Sequence, residues 1–157
     1  MQKTNAIRIL DKLGISYETF EYDENITSGE LVAEALGEDK EYVFKTLVTT
    51  AGKNEYYVFV IPVAESLDLK KCAKVAGVKN IEMIKQKELF SLTGYIHGGC
   101  SPIGMKKFFK TFIQEEASIM DYFFISGGHV GLQVKINPMD LNKVISFEFA
   151  DLTFQKD

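Results

Sequence analysis

The 157-residue chain is predicted to adopt an α+β fold, in which helices surround a mixed, curved central β-sheet. Hydrophobic residues make up 46% and charged residues 25% of the chain, proportions typical of globular proteins. Strand-like segments alternate irregularly with amphipathic segments, and this order argues against a doubly wound parallel sheet. No repeat, low-complexity tract or linker interrupts the chain, so we expect a single domain over residues 1–157.

Capping residues mark the predicted helices. Thr4 precedes a helical stripe of apolar residues that stops at Gly14, and Thr27 or Ser28 precedes a second helix that runs to Leu36. The remaining helical segments are predicted as one turn at 39–43 and as helices at 68–76, at 85–92 and from Pro138 onward.

The predicted strands are short and rich in β-branched and aromatic residues. Residues 44–50 and 55–63 flank the polar segment 52–54, which contains glycine and asparagine, and this pattern predicts a β-hairpin. The other strands are predicted at 15–22, 81–83, 111–114, 122–126 and 132–136.

The composition excludes several classes of protein. The first residues lack the apolar stretch of a secretory signal, and the chain contains no run of about 18 apolar residues that would span a membrane. The two cysteines, Cys72 and Cys100, are too few for a disulfide scaffold. We therefore expect a cytoplasmic protein without membrane contact.

Lysines are concentrated in one part of the chain. The formal net charge is −4, yet residues 70–110 contain nine lysines and only two glutamates, a local balance of +7 that leaves −11 for the rest. Such a segment is suited to contact a polyanion, although the same lysines would also fit the solvated sides of two helices.

Two glycine-rich segments are candidates for a binding site. Segment 94–104 contains Gly98, Gly99 and Gly104, and segment 126–131 begins Ser126-Gly127-Gly128. Glycine lets backbone amides approach a ligand closely, so paired loops of this kind can donate N–H groups to a carbonyl or phosphate oxygen. The alternative is that both are tight turns between strands, and neither matches the dinucleotide-binding or P-loop spacing.

His97 and Cys100 raise the possibility of a metal site or a thiol nucleophile. A zinc site takes three or four protein ligands, whereas the chain has two histidines and two cysteines in all, so we expect no metal and no cofactor. A cysteine–histidine nucleophile stays open as an alternative. Cys72 lies among apolar helix positions, where a small buried side chain is expected.

Lys45 is the most suggestive single residue. It stands at the start of an apolar strand, between Phe44 and Thr46. A lysine in that position either extends to solvent along its aliphatic stem or reaches a ligand, and the pattern alone leaves both roles open.

Several separated motifs together resemble the YbaK/EbsC family, the freestanding relatives of the editing domain of prolyl-tRNA synthetases. The resemblance covers nearly the whole chain and implies the family's mixed, curved sheet or partial barrel. The motifs that carry it are Thr4-Asn5-Ala6, Phe44-Lys45-Thr46-Leu47, Pro62-Val63-Ala64, Leu67 to Lys71, Thr93-Gly94-Tyr95, Gly98 to Gly104 with Lys106-Lys107, and Ser126-Gly127-Gly128 with Gly131-Leu132.

The resemblance implies an enzyme that hydrolyses the ester between a wrong amino acid and the 3′ end of tRNA, with cysteine on tRNA(Pro) as the expected substrate. Cysteine is close to proline in size, and a pocket separates near-isosteres poorly. The family's mechanism is substrate-assisted: the thiol of the bound cysteine attacks its own ester carbonyl. Mischarged tRNA, through its acceptor end, is the expected partner, with prolyl-tRNA synthetase as a further partner in a transient complex.

Site residues follow from the same resemblance. The implied catalytic residues are Lys45, Gly99, Cys100 and Ser101, with the amides of 99–101 steadying the oxyanion. The implied substrate-binding residues are Tyr22, Gly98, Gly104, Ser126, Gly127, Gly128 and Gln133. The implied tRNA-binding residues are Lys45, Lys70, Lys71, Lys106 and Lys107.

The chain departs from some family members at Gln133, where they carry an acidic residue, and at His129-Val130, where they carry a basic pair. Glutamine keeps the hydrogen-bonding capacity and loses the charge, which bears on how the substrate's amino group is recognised. The alternatives are a deacylase for alanyl-tRNA or another small amino acid, and a nucleotide- or RNA-binding module of the same fold without activity.

Overall fold

Eight strands, divided between two hydrogen-bonded sheets, form the centre of the computed structural model, which describes residues 3–154. In chain order they are β1 Glu18–Glu21, β2 Phe44–Gly52, β3 Glu55–Pro62, β4 Glu82–Met83, β5 Lys110–Gln114, β6 Phe123–Ser126, β7 Leu132–Ile136 and β8 Glu148–Ala150. The smaller sheet has the order β1–β7–β6 and the larger sheet has the order β4–β2–β3–β5–β8.

Strand directions confirm the predicted mixed architecture. The smaller sheet is antiparallel, and β2 pairs antiparallel with β3 and β4, whereas β5 runs parallel to both β3 and β8. The predicted hairpin is β2–β3, and Asn54 in its turn has a positive φ of 61°. The sheets touch where Val43 bridges Phe124 of β6, but in the described part of the chain they do not close into a barrel.

Five α-helices surround the sheets in residues 3–154: α1 Asn5–Lys12, α2 Gly29–Leu36, α3 Leu69–Ala76, α4 Leu89–Thr93 and α5 Pro138–Leu141. Side chains cap two of the predicted helices: Thr4 Oγ1 accepts from the N–H of Ile7, and the Asp68 carboxylate caps α3. Ser28 stands at the start of α2 as predicted, but its side chain makes no capping hydrogen bond. Gly37 and Gly77 close α2 and α3 in the left-handed conformation. None of the helices described combines the length and the apolar composition needed to cross a bilayer.

The predicted helix 85–92 is the clearest difference in element type. Residues Gln86–Glu88 form a 3-10 turn that leads into α4, which continues to Thr93. Sequence patterns also missed β8 and a second 3-10 segment, Glu115–Ile119. The single turn expected at 39–43 is a 3-10 helix at Lys40–Tyr42.

Three apolar clusters fill the spaces between these elements, and the third positions the candidate site. The first lies between α1 and the facing sides of both sheets, and the second lies beneath α3 on the other side of the larger sheet. The third is small and consists of Ala33 of α2, Val43, Val63 after β3, and Phe124 of β6. It joins the end of the β2–β3 hairpin to the open face of the smaller sheet.

Candidate active site

Lys45 projects from β2 next to the third cluster. It lies opposite Ile61 of β3 in the strand register, and its ammonium donates to the carbonyl oxygen of Val63 at 3.1 Å. The side chain is half-buried, and this burial lowers the pKa of Lys45, while the nearby carboxylates of Glu30 and Glu65 act to raise it. An ammonium has three donors, so two stay available for an anionic ligand.

The start of α2 approaches the same point closely. A Cβ on Gly29 would lie 2.7 Å from Cβ of Val63, a distance at which atoms cannot coexist, so only glycine lets the helix pack this near. Glu30, the next residue, is close enough to act on the charge of Lys45. Lys45 therefore sits at a junction of α2, the hairpin end and the smaller sheet.

Gln133 lies at the centre of the smaller sheet, on the face that carries Phe124. It is paired in register with Phe20 of β1 on one side and Ser126 of β6 on the other. The residue is only 6% exposed, yet its side-chain oxygen has no hydrogen-bond donor within residues 3–154. An unpartnered buried oxygen costs about 1–3 kcal/mol, so Gln133 presents an acceptor suited to a donor from a ligand.

Tyr22 adjoins the smaller sheet, and Thr46 adjoins Lys45 on β2. Tyr22 follows β1 directly, is half-buried, and its backbone N–H donates to the carbonyl of Gly131 at 2.9 Å. Thr46, next to Lys45 on β2, has a buried hydroxyl oxygen without a partner in the described residues. Sequence reasoning did not single out Thr46, although a hydroxyl within an apolar strand was a visible signal.

The two glycine-rich loops meet, as a shared site requires. A Cβ on Gly99 would lie 2.8 Å from Cα of His129 and 2.9 Å from the nitrogen of Val130. A Cβ on Gly98 would lie 3.3 Å from Cγ2 of Val130. These distances show that the backbone of one loop packs directly on the other, and only glycine at position 99 allows this.

Helix α1 holds both loops in place. Thr4 Oγ1 donates to the carbonyl of Gly127 at 2.6 Å, and Asn5 Nδ2 donates to the carbonyl of Gly104 at 2.9 Å. The sequence indicated a capping role for Thr4 and no role for Asn5, and the structure makes both residues the tethers of the candidate site. Gly104 has no space for a side chain, since a Cβ there would lie 2.8 Å from Asn5 Nδ2.

Several amides of the two loops already have acceptors within the protein. The N–H of Gly99 donates to Ile96, that of Gly127 donates to Leu132, and that of Gly128 donates to the hydroxyl of Ser126. Gly99 was expected to offer its amide to an oxyanion, and the bond to the Ile96 carbonyl occupies that amide instead.

The backbone amides of Cys100 and Ser101 are less occupied than that of Gly99. The N–H of Cys100 has no acceptor within residues 3–154, and the residue keeps 7% of its surface exposed. Ser101 is completely buried, and its hydroxyl accepts from the N–H of Ile103 at 3.1 Å, so this side chain shapes the turn. Of the expected oxyanion donors, the backbone amides of Cys100 and Ser101 have no acceptor in the described residues, whereas that of Gly99 is occupied.

Comparison with known proteins decides the family. Residues 23–144 match the aminoacyl-tRNA editing domain family. The chain belongs to the aminoacyl-tRNA editing domain family. A protein of Enterococcus faecalis, provisionally named Cys-tRNA(Pro)/Cys-tRNA(Cys) deacylase EbsC, is 44% identical over 97% of this chain and 94% of its own length. The resemblance seen in the separated motifs is thus confirmed.

Solved structures support the fold of this editing domain. A protein described provisionally as a trans-editing enzyme for prolyl tRNA synthetase superposes with a TM-score of 0.86 at 22% identity, covering 99% of this chain and 100% of that one. The protein APE2540, described as hypothetical, superposes with a TM-score of 0.88 at 19% identity, covering 96% of this chain and 100% of that one. At these identities the likeness concerns the fold.

The thiol of Cys100 is poorly suited to act as a nucleophile in this editing domain. Burial raises the pKa of the Cys100 thiol to about 12, and a hydrogen bond with Thr93 opposes this only in part. The reactive species would be the thiolate, which burial disfavours. His97, three residues earlier in the same loop, is exposed.

Cys100→Ser is therefore expected to retain most of the deacylase activity, within about threefold of the wild-type kcat/KM, since the substitution leaves the backbone amide unchanged. The measurement is deacylation under single-turnover conditions, with circular dichroism to show that the variant is folded. A loss of several orders of magnitude in a folded variant would restore the cysteine–histidine alternative.

The expected tRNA-binding lysines do not lie on one surface of the editing domain. Lys70 and Lys71 are on α3, where the Lys71 ammonium donates to the carboxylate of Asp151 at 2.8 Å and the carbonyl of Thr153 at 2.7 Å. Lys106 and Lys107 are exposed and follow the first glycine-rich loop, across the larger sheet from α3. The bonds of Lys71 leave it less available for a phosphate than Lys70, Lys106 and Lys107.

A surface cleft of about 420 Å³ lies at the end of β3, and half of its lining residues are acidic, with no basic residue among them. Its charge is opposite to that required by a polyanion, so we do not place RNA there. Within residues 3–154, no three His, Cys, Asp or Glu side chains are grouped so that they could hold a metal ion. The residues that line the cleft are Glu41, Pro62, Glu65, Gln114, Glu115, Glu116, Met120, Asp151, Thr153 and Phe154.

Proposed function

We propose that this protein removes cysteine from mischarged tRNA(Pro), and that Lys45 and Gln133 bind the aminoacylated end. The observation that carries the proposal is the pairing of a half-buried ammonium with a buried, unpartnered amide oxygen beside the same small apolar cluster. A cation suits a phosphate or ester oxygen, and the Gln133 oxygen suits the donor N–H groups of an α-amino group. The name of the E. faecalis relative, which specifies Cys-tRNA(Pro) and Cys-tRNA(Cys), supports cysteine on tRNA(Pro) as the substrate.

The proposed reaction uses the thiol of the substrate. The cysteine sulfur forms a bond to its own ester carbonyl carbon, the bond from that carbon to the ribose oxygen breaks, and the thiol proton ends on the ribose hydroxyl. Water then opens the resulting thiolactone and yields free cysteine. The protein holds thiol and carbonyl in attacking geometry, which is a large source of acceleration, and the Cys100 amide steadies the developing oxyanion.

Two features of the site suit this chemistry. The mechanism needs no protein nucleophile, in keeping with a Cys100 thiol whose pKa is raised to about 12 by burial. Gln133 binds an amino group without adding a negative charge close to the developing oxyanion. Tyr22, Ser126 and the tethered loops would form the wall around the bound amino acid.

The proposal also covers the compartment in which the enzyme acts and the synthetase with which it works. The enzyme would act in the cytoplasm on tRNA released from prolyl-tRNA synthetase, or in a transient complex with that synthetase. The full chain, residues 1–157, would work as one editing domain with no metal or cofactor.

A deacylation panel tests the proposal. Purified protein is mixed in turn with Cys-tRNA(Pro), Cys-tRNA(Cys), Ala-tRNA(Pro) and correctly charged Pro-tRNA(Pro), and the labelled amino acid released is followed. We expect cysteine to be released well above the spontaneous rate and proline to stay bound. Preferential release of alanine would establish the alternative deacylase, and no release of any amino acid would establish a binding module.

The pair Lys106 and Lys107 provides a separate test of tRNA binding. The double variant Lys106→Glu, Lys107→Glu is expected to weaken tRNA binding and to reduce the slope of log affinity against log salt by about one unit or less for each phosphate that the protein no longer neutralises. The control variant Lys12→Glu, Lys53→Glu makes the same charge change at exposed positions outside the lysine-rich segment. Equal salt slopes for the two double variants would remove this pair from the binding surface.

A further inference from the structure

Exposed phenylalanine side chains are concentrated beside the first glycine-rich loop. Within residues 3–154, the strongly exposed phenylalanines are Phe90 at 57%, Phe108 at 74% and Phe154 at 59%. Phe90 and Phe108 lie in the lysine-rich segment, together with Ile96 at 56%. Aromatic surface left in water forgoes the stabilisation that burial would provide, so grouped exposed rings indicate a binding surface.

Lys106 joins the parts of this surface. Its backbone N–H donates to the carbonyl of Thr93 at the end of α4, and its ammonium lies 5.0 Å from the centre of the Phe90 ring. Its aliphatic stem passes close to Gly94, where an added Cβ would lie 3.4 Å from Cγ of Lys106. The α4 helix that carries Phe90 is therefore held against the segment that continues to Lys107 and Phe108.

We infer that Phe90 and Phe108 form a stacking platform for unpaired bases at the 3′ end of the tRNA, with Lys106 and Lys107 binding the adjoining phosphates. The inference rests on the proposed function for the choice of RNA. Exposed aromatic rings next to cations are how proteins bind single-stranded nucleic acid without reading its sequence. Bases in a duplex are stacked on each other and cannot use such rings, so the platform fits an unpaired strand.

A protein partner is the weaker explanation for the same surface. Lysine is depleted in the buried parts of protein–protein interfaces. Here Lys106 contacts the ring of Phe90, and Lys107 directly precedes Phe108. The surrounding residues 70–110 carry nine lysines and two glutamates, which complements a phosphate backbone.

The test measures equilibrium binding of uncharged tRNA, either intact or shortened by its unpaired 3′ nucleotides. Phe90→Ala and Phe108→Ala are each expected to weaken binding of intact tRNA by about 5- to 150-fold, the range for losing one base stack. Binding of the shortened tRNA should be the same for wild type and variants. Phe154→Ala, which removes an exposed ring beside the acidic cleft, is the matched control and should bind like wild type.

Further variants separate stacking from general apolar contact. Phe90→Tyr and Phe108→Tyr keep an aromatic face and should bind intact tRNA like wild type, whereas the leucine variants should bind as weakly as the alanine variants. The inference is overturned if leucine restores binding, or if the alanine variants bind both forms of tRNA as wild type does. Because the tRNA is uncharged, absence of cysteine release would contradict the proposed function alone, and unchanged tRNA affinity would contradict the platform alone.

Discussion

Lys45→Ala is expected to lower kcat/KM for cysteine release by about 10- to 150-fold, the effect of removing one charge-assisted hydrogen bond worth roughly 1.5–3 kcal/mol. The free energy of unfolding should fall by only about 1 kcal/mol, because within residues 3–154 the substitution removes a single side-chain hydrogen bond, the one to Val63. Burial lowers the pKa of Lys45, which shows that the protein interior does not favour its charged form.

Two further variants make this result interpretable. Lys45→Met fills similar space without charge and should be as inactive as Lys45→Ala, while Lys53→Ala at the exposed hairpin turn should be fully active. Deacylation rates and urea unfolding curves are measured on the same preparations. Full activity of Lys45→Ala, or a loss explained entirely by unfolding, would make Lys45 a structural residue and remove it from the site.

Gly99→Ala is expected to lower the free energy of unfolding by about 1–3 kcal/mol and to abolish most of the cysteine release. The added Cβ would lie 2.8–2.9 Å from backbone atoms of His129 and Val130, which cannot rotate aside as a side chain would. The two loops would have to separate, and this movement would carry the Cys100 amide away from the substrate. Urea unfolding and single-turnover deacylation below the melting temperature provide the two measurements.

Gly37→Ala is the matched control for this substitution. Gly37 ends α2 with a φ of 70°, and an added Cβ would have no atom within 4 Å, so the variant carries backbone strain of about 1 kcal/mol without a clash. It should lose a similar amount of stability and keep its activity. If Gly99→Ala behaves like Gly37→Ala in both assays, contact between the loops is not required for function.

Local patterns predicted the elements of this fold well. Thr4, Ser28 and Asp68 stand at the predicted helix starts, and Gly37 and Gly77 at the predicted helix ends, because capping depends on residues that are near neighbours in sequence. The β2–β3 hairpin was predictable for the same reason.

Local sequence patterns could not predict which strands pair when the strands are distant in the sequence. Strand β8 has three residues, and its partner is the parallel strand β5, where Phe149 lies opposite Ile113. A segment this short shows no clear alternation, and its neighbours in the sheet are far away in sequence. The division of the strands into two sheets depends on the same kind of pairing and does not follow from composition.

The candidate site was partly predictable for related reasons. Lys45 is visible in the sequence as a charge at the start of an apolar strand, and the loops as clusters of glycine. The tethers that fix the loops are not visible as such, because the Thr4–Gly127 and Asn5–Gly104 bonds join residues 123 and 99 positions apart. The bond from the Gly99 amide to Ile96 likewise depends on the folded loop, so the sequence gives no sign of it.

The most direct test of the proposed mechanism compares cysteine and serine on the same tRNA(Pro). These amino acids differ in one atom, and a neutral hydroxyl is a far weaker nucleophile than a thiol near its pKa. Single-turnover release rates are measured with saturating enzyme, so that binding does not limit either reaction. We predict that cysteine leaves faster than serine by on the order of 100-fold or more, since only its thiol exploits the enforced proximity. Equal rates for the two esters would contradict the substrate-thiol mechanism.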